Sequence, residues 1–163
     1  MFTVGIITAS DKGYKGQRED ISGKVIEDIL LEKGYKISNR IIVPDEPKDL
    51  KDAIIHMADE LKVDLILTTG GTGFSKRDIT PEVTTELCDR MANGIAEAIR
   101  YYSLSITPRA MLSRGVSGIR KDTLIVNLPG SPKAVKEALE YSLDSIYHGL
   151  EILTNSTSDC ARK

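Results

Sequence analysis

Apolar and polar positions alternate along this chain between a strand-like and a helix-like rhythm. Residues 3–8 form a short apolar run rich in β-branched side chains, which predicts a buried strand. Val25, Ile26, Ile29 and Leu30 then recur at helical spacing. They predict a helix over about residues 23–33, capped by Ser22 and ended at Gly34. Residues 37–43 predict a second strand, closed by Pro44. Pro47 suits a first helical position, and the helix it opens places Leu50, Ala53, Ile54, Met57, Ala58 and Leu61 on one face. Residues 63–69 are almost continuously apolar, as a strand covered on both faces must be. Thr80 predicts the next cap, with Pro81 behind it and Glu82 complementing the helix dipole. Helical signal then runs toward Ile106 with a break near Asn93-Gly94, and residues 108–120 are less regular. Residues 124–128 predict another strand. Ser131 and Pro132 open a last helix carrying Val135, Ala138, Leu139, Leu143, Ile146 and Leu150.

Strands separated by helices imply βαβ units. The expected fold is a single three-layer αβα domain over residues 1–153 with a mostly parallel central sheet, followed by a polar tail at 154–163. In such sheets ligands sit beyond the carboxyl ends of the strands. Ser10-Asp11, Pro44-Asp45-Glu46, Gly70-Gly71-Thr72-Gly73 and Pro129-Gly130-Ser131 are therefore expected along one edge.

Composition narrows the function. The 163 residues, 40% of them apolar, suffice for a core without staples, and the net charge of −2 argues against a nucleic-acid or membrane-surface binder. Any anion site must be local. No apolar run approaches the roughly 20 residues of a membrane span, and the start lacks the pattern of a signal peptide. Cys88 and Cys160 stand far apart, which suggests neither a disulfide framework nor a zinc site. A cytoplasmic location is the expectation.

The segment from Thr69 to Glu82 carries the most chemistry: a glycine-rich turn, the pair Lys76-Arg77, Asp78, and a helix start. Glycines let backbone N–H groups approach a ligand closely, so the segment suits a phosphate handled with a metal ion. It matches neither the Walker A nor the Rossmann spacing. Asp45 and Asp78 both follow strands, and two carboxylates near phosphates are a usual way to hold Mg²⁺. Asp is equally favoured as a turn residue and at a helix entry, so spacing leaves both roles open. Pro129-Gly130-Ser131-Pro132 reads first as a helix start, and second as a helix terminus receiving an anion. Arg109, Arg114, Arg120 and Lys121 read as a solvated basic face, and His56 and His148 as surface residues.

Taken together, Thr69-Gly70-Gly71-Thr72-Gly73, Arg77-Asp78-Ile79-Thr80-Pro81-Glu82 and Asn127-Leu128-Pro129-Gly130-Ser131-Pro132 resemble the MoaB/Mog family of molybdenum-cofactor biosynthesis. Ser10-Asp11, Pro44-Asp45-Glu46 and Met111-Leu112-Ser113-Arg114 support the resemblance, which covers residues 3–150. It implies a molybdopterin adenylyltransferase using Mg-ATP, with Mg²⁺ as cofactor and ATP and molybdopterin as substrates. A molybdopterin binder or scaffold without that activity is the alternative. It places catalytic and metal-holding roles on Asp45 and Asp78, and pterin-side contacts on Thr72, Ser103 and Ser113. Nucleotide and phosphate contacts fall on Gly70, Gly71 and Gly73 beside Thr69, and on Pro129, Gly130 and Ser131. It also implies a homotrimer and a downstream molybdenum-insertion protein as partner. The loop at residues 12–20 varies within the family and receives no role from the resemblance.

Overall fold

The computed structural model describes residues 1–154, and the remainder of the expected polar tail, with Cys160, lies outside them. Six strands form one sheet: β1 (Thr3–Ala9), β2 (Lys36–Val43), β3 (Leu65–Thr69), β4 (Arg90–Met91), β5 (Ser117–Arg120) and β6 (Thr123–Leu128). Their order is β2-β1-β3-β6-β5-β4. The first four in that order run parallel, while β5 and β4 are antiparallel additions at one edge. Helices α1 (Asp11–Tyr14), α2 (Ile21–Glu32), α3 (Pro47–Ile55), α4 (Thr80–Leu87), α5 (Asn93–Leu104) and α6 (Pro132–Leu153) complete the domain. The expected three-layer α/β architecture is the one observed.

Period-two alternation divides the central strands between two cores. Val4 and Ile6 of β1, Leu65 and Leu67 of β3, and Leu124, Val126 and Leu128 of β6 point to one face, where α2 and α6 bury Ile26, Leu30, Leu139 and Ile146. Ile7, Ile66 and Ile125 point to the other, against Leu50, Ile54 and Met57 of the α3 segment and Val83 of α4. A strand between two helical layers has no polar side, which is why residues 63–69 carry no alternation.

Local signals place most helix ends. Pro47 opens α3, Ser131 caps α6 by accepting from the Ala134 amide, and Gly34 takes a φ of +81° beyond α2. Two caps differ from expectation. Asp20, not Ser22, caps α2 by accepting from the Gly23 amide, and Ser22 Oγ instead donates to the Gly130 carbonyl at 2.8 Å. Thr80 lies inside α4 rather than capping it, and its Oγ1 donates to the Gly70 carbonyl at 3.0 Å. Each hydroxyl has been taken by a tertiary partner. Leu61, expected on the buried face, is 43% exposed, because a π-helical turn at His56–Glu60 rotates the register after α3.

The irregular stretch contains a 3₁₀ turn, Pro108–Leu112, and the unpredicted β5. Nor is it simply a solvated basic face. Arg120 is half-buried, pairs with Asp59 at 2.7 Å and donates to the Leu87 carbonyl. Arg114 donates from Nε to the Gly73 carbonyl at 2.7 Å and from Nη2 to the Asp78 carbonyl at 2.8 Å, and pairs with Glu82. Among the described residues no helix is long and apolar enough to cross a membrane.

Candidate active site

Register brings the four expected loops together. Thr8 pairs with Thr69 and Thr69 with Leu128, while Ala9 pairs with Val43, so four parallel strands end at one level. β1 and β3 are neighbours whose following elements leave toward opposite edges of the sheet, and a crevice opens at such a reversal. Here it is a cleft of about 680 Å³, lined by Ser10, Asp20, Asp45, Thr69, Gly70, Gly71, Asp78, Gly130 and Ser131 among others. That size suits a small-molecule ligand.

The loops are tied to one another. The Asp11 amide donates to Asp45 Oδ2 at 2.9 Å, and the Asp45 amide donates back to Asp11 Oδ1 at 3.0 Å. Arg77 donates to both Asp11 oxygens, at 2.6 and 3.0 Å, and to Glu46 at 2.7 Å. Thr69 Oγ1 donates to the Pro129 carbonyl at 2.6 Å. Hydrogen bonds thus link three strand-end loops and the glycine loop to one another.

Asp45 and Asp78 flank the glycine turn. Asp45 Oδ1 lies 3.4 Å from where a Cβ on Gly71 would stand, and Asp78 Oδ2 lies 2.9 Å from the same point on Gly73. Each carboxylate spends one oxygen on a backbone amide. Asp45 Oδ2 accepts from Asp11, and Asp78 Oδ2 accepts from Ser75 at 2.9 Å. The second oxygen of each makes no hydrogen bond to any described residue. Such hard oxygens fit Mg²⁺, which takes one or two carboxylates and completes its shell from phosphate and water. No group of three or more His, Cys, Asp or Glu side chains could hold a metal among the described residues, so a metal here would depend on ligand oxygens.

The two neighbouring acids titrate apart. The Arg77 guanidinium, helped by the Asp45 amide, holds the Asp11 carboxyl down at about 2. Burial pushes the Asp45 carboxyl up, and the charges of Asp11 and Asp78 add to that against the Asp11 amide. Ionised Asp45 is therefore destabilising in the ligand-free fold, and the penalty acts above its ordinary pKa. Asp45→Asn is expected to raise the thermal midpoint at pH 7 and to lose that advantage as pH falls and wild-type Asp45 takes up its proton. Melting curves between pH 4 and 8 test this; a destabilised variant at pH 7 would refute it.

A second cavity of about 210 Å³ lies across the Pro129-Gly130 turn, lined by Arg100, Ser103, Arg109, Ser113, Asn127 and Pro129 among others. Ser103 and Ser113 therefore share one pocket, separate from the two carboxylates. Thr72 is buried and lines neither cavity; its carbonyl accepts from the Arg114 amide. Gly73 likewise lines neither cavity, and its carbonyl accepts from Arg114 Nε.

Sequence reasoning missed several residues that build the site. Asp20 accepts from Thr8 Oγ1 and pairs with Arg40 at 3.2 Å at the cleft's edge. Its place just before an apolar helix was the available signal. Asn127 is buried and fully used: Nδ2 donates to Thr68 and Thr84, each at 3.0 Å, and Oδ1 accepts from the Val116 amide. Arg100 donates to the Ser113 and Gly115 carbonyls and fixes the rim of the second pocket.

Comparison with known proteins places this geometry. The family described as a probable molybdopterin binding domain matches residues 5–148. The chain belongs to that family. It is 42% identical over 154 residues to the molybdopterin adenylyltransferase of Helicobacter pylori strain J99, covering 92% of this chain and 86% of that protein. It is 38% identical to the molybdopterin adenylyltransferase of Escherichia coli K12, over 90% of this chain and 78% of that one. The crystal structure of the molybdopterin biosynthesis enzyme MoaB from Thermus thermophilus superposes with a TM-score of 0.90 at 48% identity, covering 95% of this chain and 98% of the other.

Proposed function

We propose that this chain is a molybdopterin adenylyltransferase, transferring AMP from Mg-ATP to the molybdopterin phosphate. One observation carries the reading: two carboxylates, each with an oxygen left over, border a glycine turn in a single cleft. An oxygen of the molybdopterin phosphate attacks the α-phosphorus of ATP, a P–O bond forms there, and the bond to the β-phosphate breaks to release pyrophosphate. No protein nucleophile is required. The chain's task is to hold two polyanions in line against their repulsion. Asp45 and Asp78 would hold Mg²⁺, which supplies charge neutralisation at the phosphate oxygens. Amides of the Gly70-Gly71 turn and the start of α6 at Ser131 meet phosphate, and the Ser103–Ser113 pocket receives the pterin end.

The exposed apolar residues Tyr101, Leu104, Ile106, Met111 and Leu112, on α5, the 3₁₀ turn and the segment between them, suit the kind of interface that the homotrimer expected from the family resemblance needs. Adenylyl-molybdopterin would pass to a molybdenum-insertion protein, and a cytoplasmic setting suits that exchange.

The test is pyrophosphate release by the purified chain with Mg-ATP and molybdopterin, with sedimentation of the same preparation checking for three chain masses. Release dependent on both substrates is expected. Molybdopterin binding without release would make the chain a binder rather than an enzyme, and failure to bind either substrate would end the proposal.

A further inference from the structure

Three of the basic residues around the cleft are already occupied. Arg77 is held by Asp11 and Glu46, and Arg114 by Glu82 and two carbonyls. Arg40, below the cleft's edge, is held by Asp20 and Glu27. None of the three lines the cleft, and neither does Lys76, although sequence places it beside the glycine turn. Among the described residues the walls carry four acids, Glu19, Asp20, Asp45 and Asp78, and a single Lys or Arg: Arg18.

Arg18 lies two positions before Asp20, the cap of α2, in the loop between α1 and α2. It is exposed and makes no ion pair or hydrogen bond to any described residue. The adjoining start of α2 is fastened to the Pro129-Gly130-Ser131 turn through Ser22 Oγ and the Gly130 carbonyl. A free guanidinium therefore reaches a cleft whose own charge is negative, beside two helix starts. A polyphosphate entering with one bound Mg²⁺ still carries excess negative charge. The planar fork of arginine matches phosphate oxygens two at a time.

We infer that Arg18 is the cleft's phosphate-binding cation, meeting the polyphosphate of the nucleotide from the side opposite in charge to Asp45 and Asp78. The inference rests on the reading of this cleft as the Mg-ATP site. The loop that carries Arg18 thereby acquires a role: it brings to the cleft the cation that the glycine turn lacks. Neighbouring Lys15 lies on the same loop but outside the cleft lining, so it supplies a matched control.

Calorimetric titration of the full chain with Mg-ATP, with magnesium pyrophosphate and with adenosine tests the assignment. Arg18→Ala is expected to weaken Mg-ATP and pyrophosphate by about 10-fold or more, the scale of one charge-assisted phosphate contact, and to leave adenosine unchanged. Arg18→Lys should recover part of the loss, and Lys15→Ala should stay within about twofold of wild type. Wild-type Mg-ATP affinity in Arg18→Ala overturns the inference and leaves the nucleotide site standing. An equal loss in Lys15→Ala also overturns it, since the effect is then a long-range field rather than a contact. A wild-type chain that binds no Mg-ATP overturns the reading of the cleft, and the inference with it.

Discussion

Asp78→Asn is expected to lower pyrophosphate release by at least about 100-fold while the thermal midpoint stays within a few degrees of wild type. The structure separates the two effects. Asp78 makes no side-chain ion pair, and its one side-chain hydrogen bond is accepted from the Ser75 amide at 2.9 Å. An asparagine carbonyl oxygen accepts that bond equally well, at nearly unchanged volume. The residue's backbone stays braced through its carbonyl, which accepts from Arg114. What disappears is the charge that, on the proposed reading, would face Mg²⁺ and the phosphates. Loss of an interaction made mainly in the transition state depresses kcat, and a weakened metal site raises the magnesium concentration needed for half-maximal rate. Initial rates across a magnesium series, with melting curves alongside, check both. Wild-type turnover in Asp78→Asn would remove Asp78 from the mechanism, and a collapse in melting temperature would recast it as structural.

The largest stability effect is expected at Gly70. Its φ of +88° lies in the left-handed region, which costs an L-residue about 1–2 kcal/mol. A Cβ there would also collide with the Ala9 carbonyl oxygen, a backbone atom at the end of β1 with no rotamer to change. Overpacking of that kind costs about 1–3 kcal/mol more. Gly70→Ala should therefore lose roughly 2–5 kcal/mol, lowering the melting temperature by about 5–15 °C in a chain of this size. Because the Gly70 carbonyl accepts from Thr80, the displaced turn also disturbs the entry to α4 and the loop holding Asp78. Gly149→Ala is the control: it sits inside α6 with nothing near its new methyl, so a small gain in stability is expected. Equal melting temperatures for Gly70→Ala and wild type would show that the turn relaxes freely.

Much of the candidate site was legible because strand ends and glycine turns are local signals. Asp45 follows a strand that Pro44 closes, and Asp78 lies between a glycine turn and the Pro81 helix start. Arg114 and Arg120 were not legible. Their partners are 41 positions away at Gly73 and 61 away at Asp59, and a charge run has the same composition whether solvated or paired. Arg18 was equally hidden, since only the folded loop shows which of several exposed cations reaches the cleft.

The sequence by itself determined the layers. Continuous apolar runs demanded strands covered on both faces, helical spacing supplied the covers, and Pro47, Ser131 and Gly34 marked helix ends, because each acts within a few residues of chain. Tertiary structure decided the rest. β5 reads Ser-Gly-Ile-Arg and becomes a strand through its pairing with β6. The Ser22 and Thr80 hydroxyls left their own helices for the Gly130 and Gly70 carbonyls, contacts that bind helix starts to strand ends. The raised Asp45 pKa exists only once the fold has half-buried its carboxyl and brought the charges of Asp11 and Asp78 near it. A hydrogen-bonding side chain can choose between near and distant partners, and only the closed fold brings the distant ones within reach.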